Sequence, residues 1–139
     1  MRGSELAKIL IVEDNALNVK LFCDLLAAHG HEPRPVTDGR FALDQAREFG
    51  PDLVITDIQL PHVTGLDLIR LIREDEKLKA VPIMAVTAYA AAADEERIRA
   101  AGAQAYVSKP ISVAKFVAQV NELLGIETAD RKAPAPQVT

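Results

Sequence analysis

"LVITDIQLP" (residues 53–61) decides how this chain is read. Leu53-Val54-Ile55-Thr56 is an unbroken run of aliphatic and β-branched side chains. A strand with one wet face alternates apolar and polar residues. An unbroken run belongs to a strand covered on both faces, the habit of parallel sheets flanked by helices. The run ends on a carboxylate, Asp57, and "IQLP" follows as a loop.

The pattern recurs on either side. "KILIVED" (8–14) is the first strand, "PDLVITD" (51–57) the third, "VPIMAVTA" (81–88) the fourth and "QAYVSKP" (104–110) the fifth. "HEPRPVT" (31–37) is the second; Pro33 and Pro35 cannot donate to a central ladder, so it lies at an edge. Leu17, Leu21 and Leu25, with Phe22 and Leu26 one step round, give the first helix a wide apolar stripe that Gly30 closes. The second helix is "GRFALDQAREFG" (39–50) and the third "GLDLIRLIRED" (65–75). The fourth, "DEERIRAAGA" (94–103), opens with acids that suit a helix N-terminus. The last, "SVAKFVAQVNELLG" (112–125), has Ser112 as N-cap and Val113, Phe116, Val117, Val120 and Leu124 along one face.

Strand and helix alternating five times predict an α/β domain of flavodoxin-like, doubly wound (βα)5 type. Its parallel five-stranded sheet takes the order 2-1-3-4-5. The domain spans 7–126, after an N-terminal extension (1–6) and before a polar, proline-bearing tail (127–139) read as disordered.

Composition narrows the function. A chain of 139 residues builds one core without staples, and its single Cys23 permits no internal disulfide. Cys23 sits in an apolar helical pattern and reads as a small buried hydrophobe in a reducing compartment. A net charge of -4 without a basic cluster argues against direct nucleic-acid binding. No apolar run approaches a membrane span and "MRGSELA" has no signal-peptide core, so the expected location is the cytoplasm.

In such sheets ligands bind beyond the carboxyl ends of the strands, at the switch between strands 1 and 3. On strands 1, 3, 4 and 5 the residues there are polar: Glu13 and Asp14, Asp57, Thr87, and Lys109. Two unit charges about 4 Å apart repel by roughly 4 kcal/mol at an effective dielectric near 20. A three-carboxylate rim therefore needs protons, or a divalent cation together with Lys109. All-oxygen donors suit a hard ion, Mg²⁺ in a cell. Asp57 can also act as a nucleophile and carry a phosphoryl group, whose charge Thr87 and Lys109 would meet.

Here the chain resembles the receiver domain of two-component response regulators. "VEDN" (12–15), "ITDIQLP" (55–61), "VTA" (86–88) and "SKP" (108–110) stand in the family's order and spacing. The resemblance implies Asp57 as phosphoacceptor, with Mg²⁺ held by Asp14, Asp57 and the backbone carbonyl of Gln59, and by Glu13 through water. It implies Thr87 and Lys109 as phosphoryl-binding groups, a cis Lys109–Pro110 peptide, and Thr87 with Tyr106 as the switch pair. Gln59 and Tyr89 would tune the phosphoryl lifetime. "VEDNALNVKLF" and "DEERIRAAGAQAYVSKPIS", without an effector domain, are similar to the single-domain, DivK-like type. "PHVTG" (61–65) and "AYAAAADEE" (88–96) depart from that type. The resemblance thus implies a stand-alone regulator, not a turnover enzyme, which catalyses its own phosphorylation and autodephosphorylation. Its partners would be a sensor histidine kinase or histidine phosphotransfer protein and a downstream protein met by helix 4, strand 5 and helix 5.

Each residue alone has a plainer reading. Thr87 fits ordinary strand propensity, Tyr106 half-buried packing, Glu13-Asp14 a helix cap and Lys109 a solvated loop. Their meeting at one rim selects the site. The alternative function is a binding module of the same fold that ignores phosphate. An aspartyl-nucleophile phosphatase needs a second acid two residues beyond the nucleophile, where Gln59 stands. A flavin carrier needs a Ser/Thr-rich phosphate loop where Glu13-Asp14 stand.

Overall fold

The computed structural model describes residues 7–88 and 92–125, with the side chains of 92 and 93 excluded. Five parallel strands, β1 (Lys8–Val12), β2 (Glu32–Val36), β3 (Leu53–Asp57), β4 (Ile83–Thr87) and β5 (Ala105–Ser108), form one sheet in the order β2-β1-β3-β4-β5. The helices are α1 (Ala16–Ala28), α2 (Ala42–Phe49), α3 (Gly65–Glu74), α4 (Ala92–Ala101) and α5 (Val113–Leu124). The predicted order is the observed one. The strands are shorter than predicted by one or two residues at one or both ends. The second helix starts with a 3-10 turn, Gly39–Phe41, before α2 proper.

Both faces of the sheet are covered, which accounts for the unbroken apolar runs. Ile9 and Ile11, Leu53 and Ile55, and Met84 and Val86 point to one layer, with Phe22 and Leu26 of α1 and Phe116 and Val120 of α5. Their neighbours Leu10, Val12, Val54, Ile83 and Ala85 point to the other, against Ala46, Ile69, Ile72 and Ile98 of α2–α4. Phe22 and Phe116 stack at 5.1 Å between centroids and join α1 to α5. The α1 stripe is narrower than predicted. Phe22 and Leu26 are buried, whereas Leu17 is 79% exposed and Leu21 38%, because the sheet meets only one side of the helix. Gly30 follows the C-cap His29 at φ 87.

The prolines of β2 suit its place at the edge. Glu32 donates to the Ala7 carbonyl and Val36 accepts from the Glu13 amide, so these alternate residues face β1. Pro33 and Pro35 turn their missing N–H groups outward.

His31, just before β2, is buried, and its Nδ1 accepts from the Ala7 amide at 3.3 Å. Burial, and then the nearby His29, hold its pKa below the ordinary value. The unfolded chain therefore takes up this proton first as the pH falls through about 6.5. Stability is expected to drop between about pH 7 and 5, before carboxylates titrate. Denaturant midpoints across that range test this: the wild type should lose stability and His31→Asn should show a flatter profile.

Candidate functional site

Among the described residues, Glu13, Asp14, Asp57, Gln59, Thr87, Lys109 and Pro110 of the expected site stand at the carboxyl end of a strand or in the loop after it, whereas Tyr106 lies within β5. β1 leads into Glu13 and Asp14, β3 ends on Asp57, β4 ends on Thr87, and Lys109 follows β5. Tyr89 lies outside the described residues, as do 1–6 and 127–139.

β3 is buried along its whole length and delivers Asp57, itself 5% exposed, between β1 and β4. The Asp57 carboxylate is held at both oxygens. Oδ1 accepts from the Gln59 amide at 2.9 Å, and Oδ2 accepts from Lys109 Nζ at 2.8 Å. Lys109 reaches in from beyond β5 because its amide donates to the Thr87 carbonyl, and the Lys109–Pro110 peptide is cis. Nζ also lies 3.3 Å from Glu13 Oε1, so one ammonium faces two acids.

Carboxylate oxygens of Glu13, Asp14 and Asp57 lie within 4.8 Å of one another, Glu13 and Asp57 buried and Asp14 exposed. Glu13 Oε2 accepts from the Asn15 amide at 3.0 Å. Its Oε1 is buried without a hydrogen bond among the described residues, since Lys109 approaches at ion-pair distance but out of alignment. Burial raises the Glu13 pKa, the Asp57 charge adds to that, and the Asn15 amide and Lys109 oppose it. For Lys109 burial works downward, but the hydrogen bond and charge of Asp57 outweigh it and the pKa is raised. The cluster thus holds more negative charge than its single ammonium balances. An orphaned buried oxygen and an all-oxygen donor set fit a hard divalent cation.

The next rows of residues fix this geometry. Asn15 caps α1 by accepting from the Asn18 amide, which keeps it out of the acid cluster. Thr56 Oγ1 donates to the Asp57 carbonyl at 3.0 Å. Gly65 opens α3 directly against that peptide: a Cβ there would lie 2.2 Å from the Asp57 oxygen. Sequence reasoning missed Gly65, whose only signal was a glycine right after the N-cap Thr64. Thr87 is buried, while Tyr106 is half-buried, packed against the α2–α4 layer and lining a groove of about 480 Å³ between β5 and α5. A smaller pocket of about 130 Å³ lies between the loop after β3, the end of β4 and α4, lined among others by Ile58, Gln59, Thr87, Asp94 and Arg97.

The doubly wound sheet thus carries an acid cluster and a lysine at its switch point, the arrangement that the resemblance to receiver domains implies. The chain belongs to the response regulator receiver domain family, whose model matches residues 9–121. Among curated proteins it is similar to the polar-differentiation response regulator DivK of Brucella ovis, with 51% identity over 117 residues, 84% of this chain and 95% of that protein. Among solved structures it resembles a response regulator from Chloroflexus aurantiacus, with a TM-score of 0.82 at 29% identity over 86% of this chain and 98% of that one. It also resembles the receiver domain of sensor histidine kinase PA1611 from Pseudomonas aeruginosa, with a TM-score of 0.79 at 33% identity and the same coverage. That domain was solved with a magnesium ion coordinated in its active-site cleft. Among the described residues of the present chain, no helix is long and apolar enough to cross a membrane.

Proposed function

We propose that this chain is a receiver, acting in the cytoplasm, that takes a phosphoryl group onto Asp57 from a histidine kinase or histidine phosphotransfer protein. One observation carries this: Glu13, Asp14 and Asp57 bring carboxylate oxygens within 4.8 Å of one another, with the Lys109 ammonium 2.8 Å from Asp57. The magnesium described for the PA1611 receiver supports Mg²⁺ as the ion. Asp14, Asp57 and the Gln59 carbonyl would hold it directly, and Glu13 through water. When bound, Mg²⁺ supplies positive charge that lets the acids stay ionised together and offsets charge on phosphoryl oxygens.

The chain's own residues do the rest. A carboxylate oxygen of Asp57 forms the new bond to phosphorus, and the bond from phosphorus to the donor's leaving atom breaks with its electron pair. The leaving group takes a proton from solvent. Lys109 holds the carboxylate in place beforehand and meets the phosphoryl charge afterwards. In autodephosphorylation water attacks phosphorus, the bond to the Asp57 oxygen breaks with its electron pair returning to the carboxylate, and inorganic phosphate leaves; Gln59 and Tyr89 would tune the rate of this step. The aspartyl phosphate adds about 1.5–2 negative charges and new acceptor oxygens. Thr87 moves toward them and Tyr106 follows, which biases the α4–β5–α5 surface between two states that partners distinguish.

The test is mass spectrometry after incubation with Mg²⁺ and a small-molecule phosphodonor. The wild type should gain one phosphoryl group, chelation of Mg²⁺ should prevent the gain, and Asp57→Asn should gain none. An unlabelled wild type that still captured its partners would instead favour the phosphate-independent binding module.

A further inference from the structure

Thr56 carries a buried polar group that the chemistry of the site does not itself use. It is fully buried, and across the sheet it stands between Val12 of β1 and Ala85 of β4. Side chains alternate along a strand, so Thr56 points with Val54 into the apolar layer against α2–α4. A hydroxyl in such a layer costs stability unless it is hydrogen-bonded, and valine would fill nearly the same volume without that demand. The hydroxyl here is bonded: Oγ1 donates to the carbonyl of Asp57 at 3.0 Å.

The position of that carbonyl explains the bond. Val54 and Ile58 turn toward β4, donating to the carbonyls of Pro82 and Val86, both at 3.0 Å. Backbone polar groups of successive residues turn to opposite sides of a strand, so the Asp57 carbonyl turns toward β1. Pairing with β1 ends at Val12 and Thr56, whereas pairing with β4 runs on to Asp57 and Val86. Beyond Val12 the chain of β1 follows β2, and the Glu13 amide donates to the Val36 carbonyl at 3.1 Å. The Asp57 carbonyl thus lies one step past the last rung on its own side, and the Thr56 hydroxyl stands in for a strand partner. Gly65 closes on the same carbonyl so tightly that no Cβ would fit between them.

We infer that Thr56 is a positioning residue for phosphoryl transfer: its hydroxyl, together with Gly65, holds the Asp57 peptide and so the direction in which the carboxylate is presented. This rests on the receiver reading and adds a residue to it. In the resting protein the carboxylate is also held directly, by the Gln59 amide at Oδ1 and by Lys109 at Oδ2. Bonding to phosphorus takes up one of those oxygens, and Lys109 is then shared with the phosphoryl oxygens. The grip on the main chain is the part of this support that the reaction leaves in place. A misplacement of about 1 Å at a reacting atom can cost about 10²-fold in rate, so a looser peptide slows transfer without any group of the site being lost.

Two variants separate the hydroxyl from the packing of the side chain. Thr56→Val keeps the shape and removes the donor, whereas Thr56→Ser keeps the donor and removes a methyl. For each, the rate of Asp57 labelling by acetyl phosphate with Mg²⁺ is measured by mass spectrometry. Thermal melting and the carbonyl-carbon chemical shift of Asp57 in the unlabelled protein are measured alongside. Thr56→Val should label about tenfold more slowly and shift the Asp57 carbonyl resonance. Thr56→Ser should keep the resonance and recover the rate to within about threefold of wild type. Rate should therefore follow the hydroxyl, whichever variant melts lower; a merely structural role would make it follow the melting point. Should Thr56→Val not fold, Thr56→Cys, which has only a weak donor in that place, carries the same expectation. A Thr56→Val protein with wild-type rate or an unmoved resonance, or a Thr56→Ser protein as slow as Thr56→Val, would overturn the positioning role alone. A wild type that took no label would overturn the receiver reading, and the positioning role with it.

Discussion

Lys109→Met is expected to lower the rate of Asp57 labelling by about 10²–10³, the usual cost of removing one preorganised charge-stabilising donor. Asp57→Asn, by contrast, should remove labelling altogether. The lysine acts before and after transfer. In the resting protein its Nζ lies 2.8 Å from Asp57 and 3.3 Å from Glu13, the only cation beside two buried acids among the described residues. After the proposed transfer it would face the new phosphoryl oxygens. The same substitution should strengthen Mg²⁺ binding several-fold, because ammonium and metal compete for one set of oxygens. Labelling rates against phosphodonor concentration, and Mg²⁺ titration followed by amide chemical shifts, measure the two effects separately. Falling rate with rising metal affinity identifies Lys109 as a phosphoryl-binding group. A parallel fall in both would mean that it merely holds the loop in place.

Gly65→Ala should destabilise the fold by about 2 kcal/mol and slow labelling together. Two effects oppose each other. Alanine gains up to about 1 kcal/mol over glycine inside a helix, but less at its first position. Against that, the new Cβ would stand 2.2 Å from the Asp57 carbonyl oxygen and 2.6 Å from Ile58 Cα. Those are backbone atoms of a buried strand end, so relief requires moving β3 or α3, and such overpacking costs about 1–3 kcal/mol. The Gly65 amide also donates to the Ile58 carbonyl at 2.9 Å, closing the loop that carries Gln59. Overpacking wins, and the displaced atoms belong to the nucleophile's own peptide. Thermal melting should show a loss of several degrees. An unchanged melting point would mean that α3 can slide without cost, and that Asp57 is aimed by its carboxylate contacts alone.

Much of this was legible in the chain. The unbroken apolar runs and their helical spacers specify a doubly wound sheet, because an unbroken strand needs cover on both faces and strand-helix units have few ways to provide it. Pro33 and Pro35 marked β2 as an edge, and it is one. Glu13, Asp14, Asp57, Thr87 and Lys109 stood out because each interrupts or follows an apolar run. The apolar stripe of α1 misled, since Leu17 and Leu21 share the spacing of core residues yet face solvent. Periodicity says which residues lie on one side of a helix, not how far the sheet reaches round it.

Arg73 and Gly65 were not legible at all. Arg73 reads as one more charge on an amphipathic helix, yet its guanidinium donates to the carbonyls of Lys79, Val81 and Gly102 and to Gln104 Oε1, which are 6 to 31 residues away. Gly65 looks like an ordinary helix start, and only the approach of α3 to β3 leaves no room for a Cβ. The sequence by itself determined the fold class and which polar residues share the rim, because hydrophobic patterning and strand ends are local properties of the chain. Only the tertiary structure decided which Asp57 oxygen each donor takes, which acid is buried with an unmet oxygen, and which segments the Arg73 guanidinium ties together. Those depend on distances between segments far apart in the chain, and no local pattern encodes them.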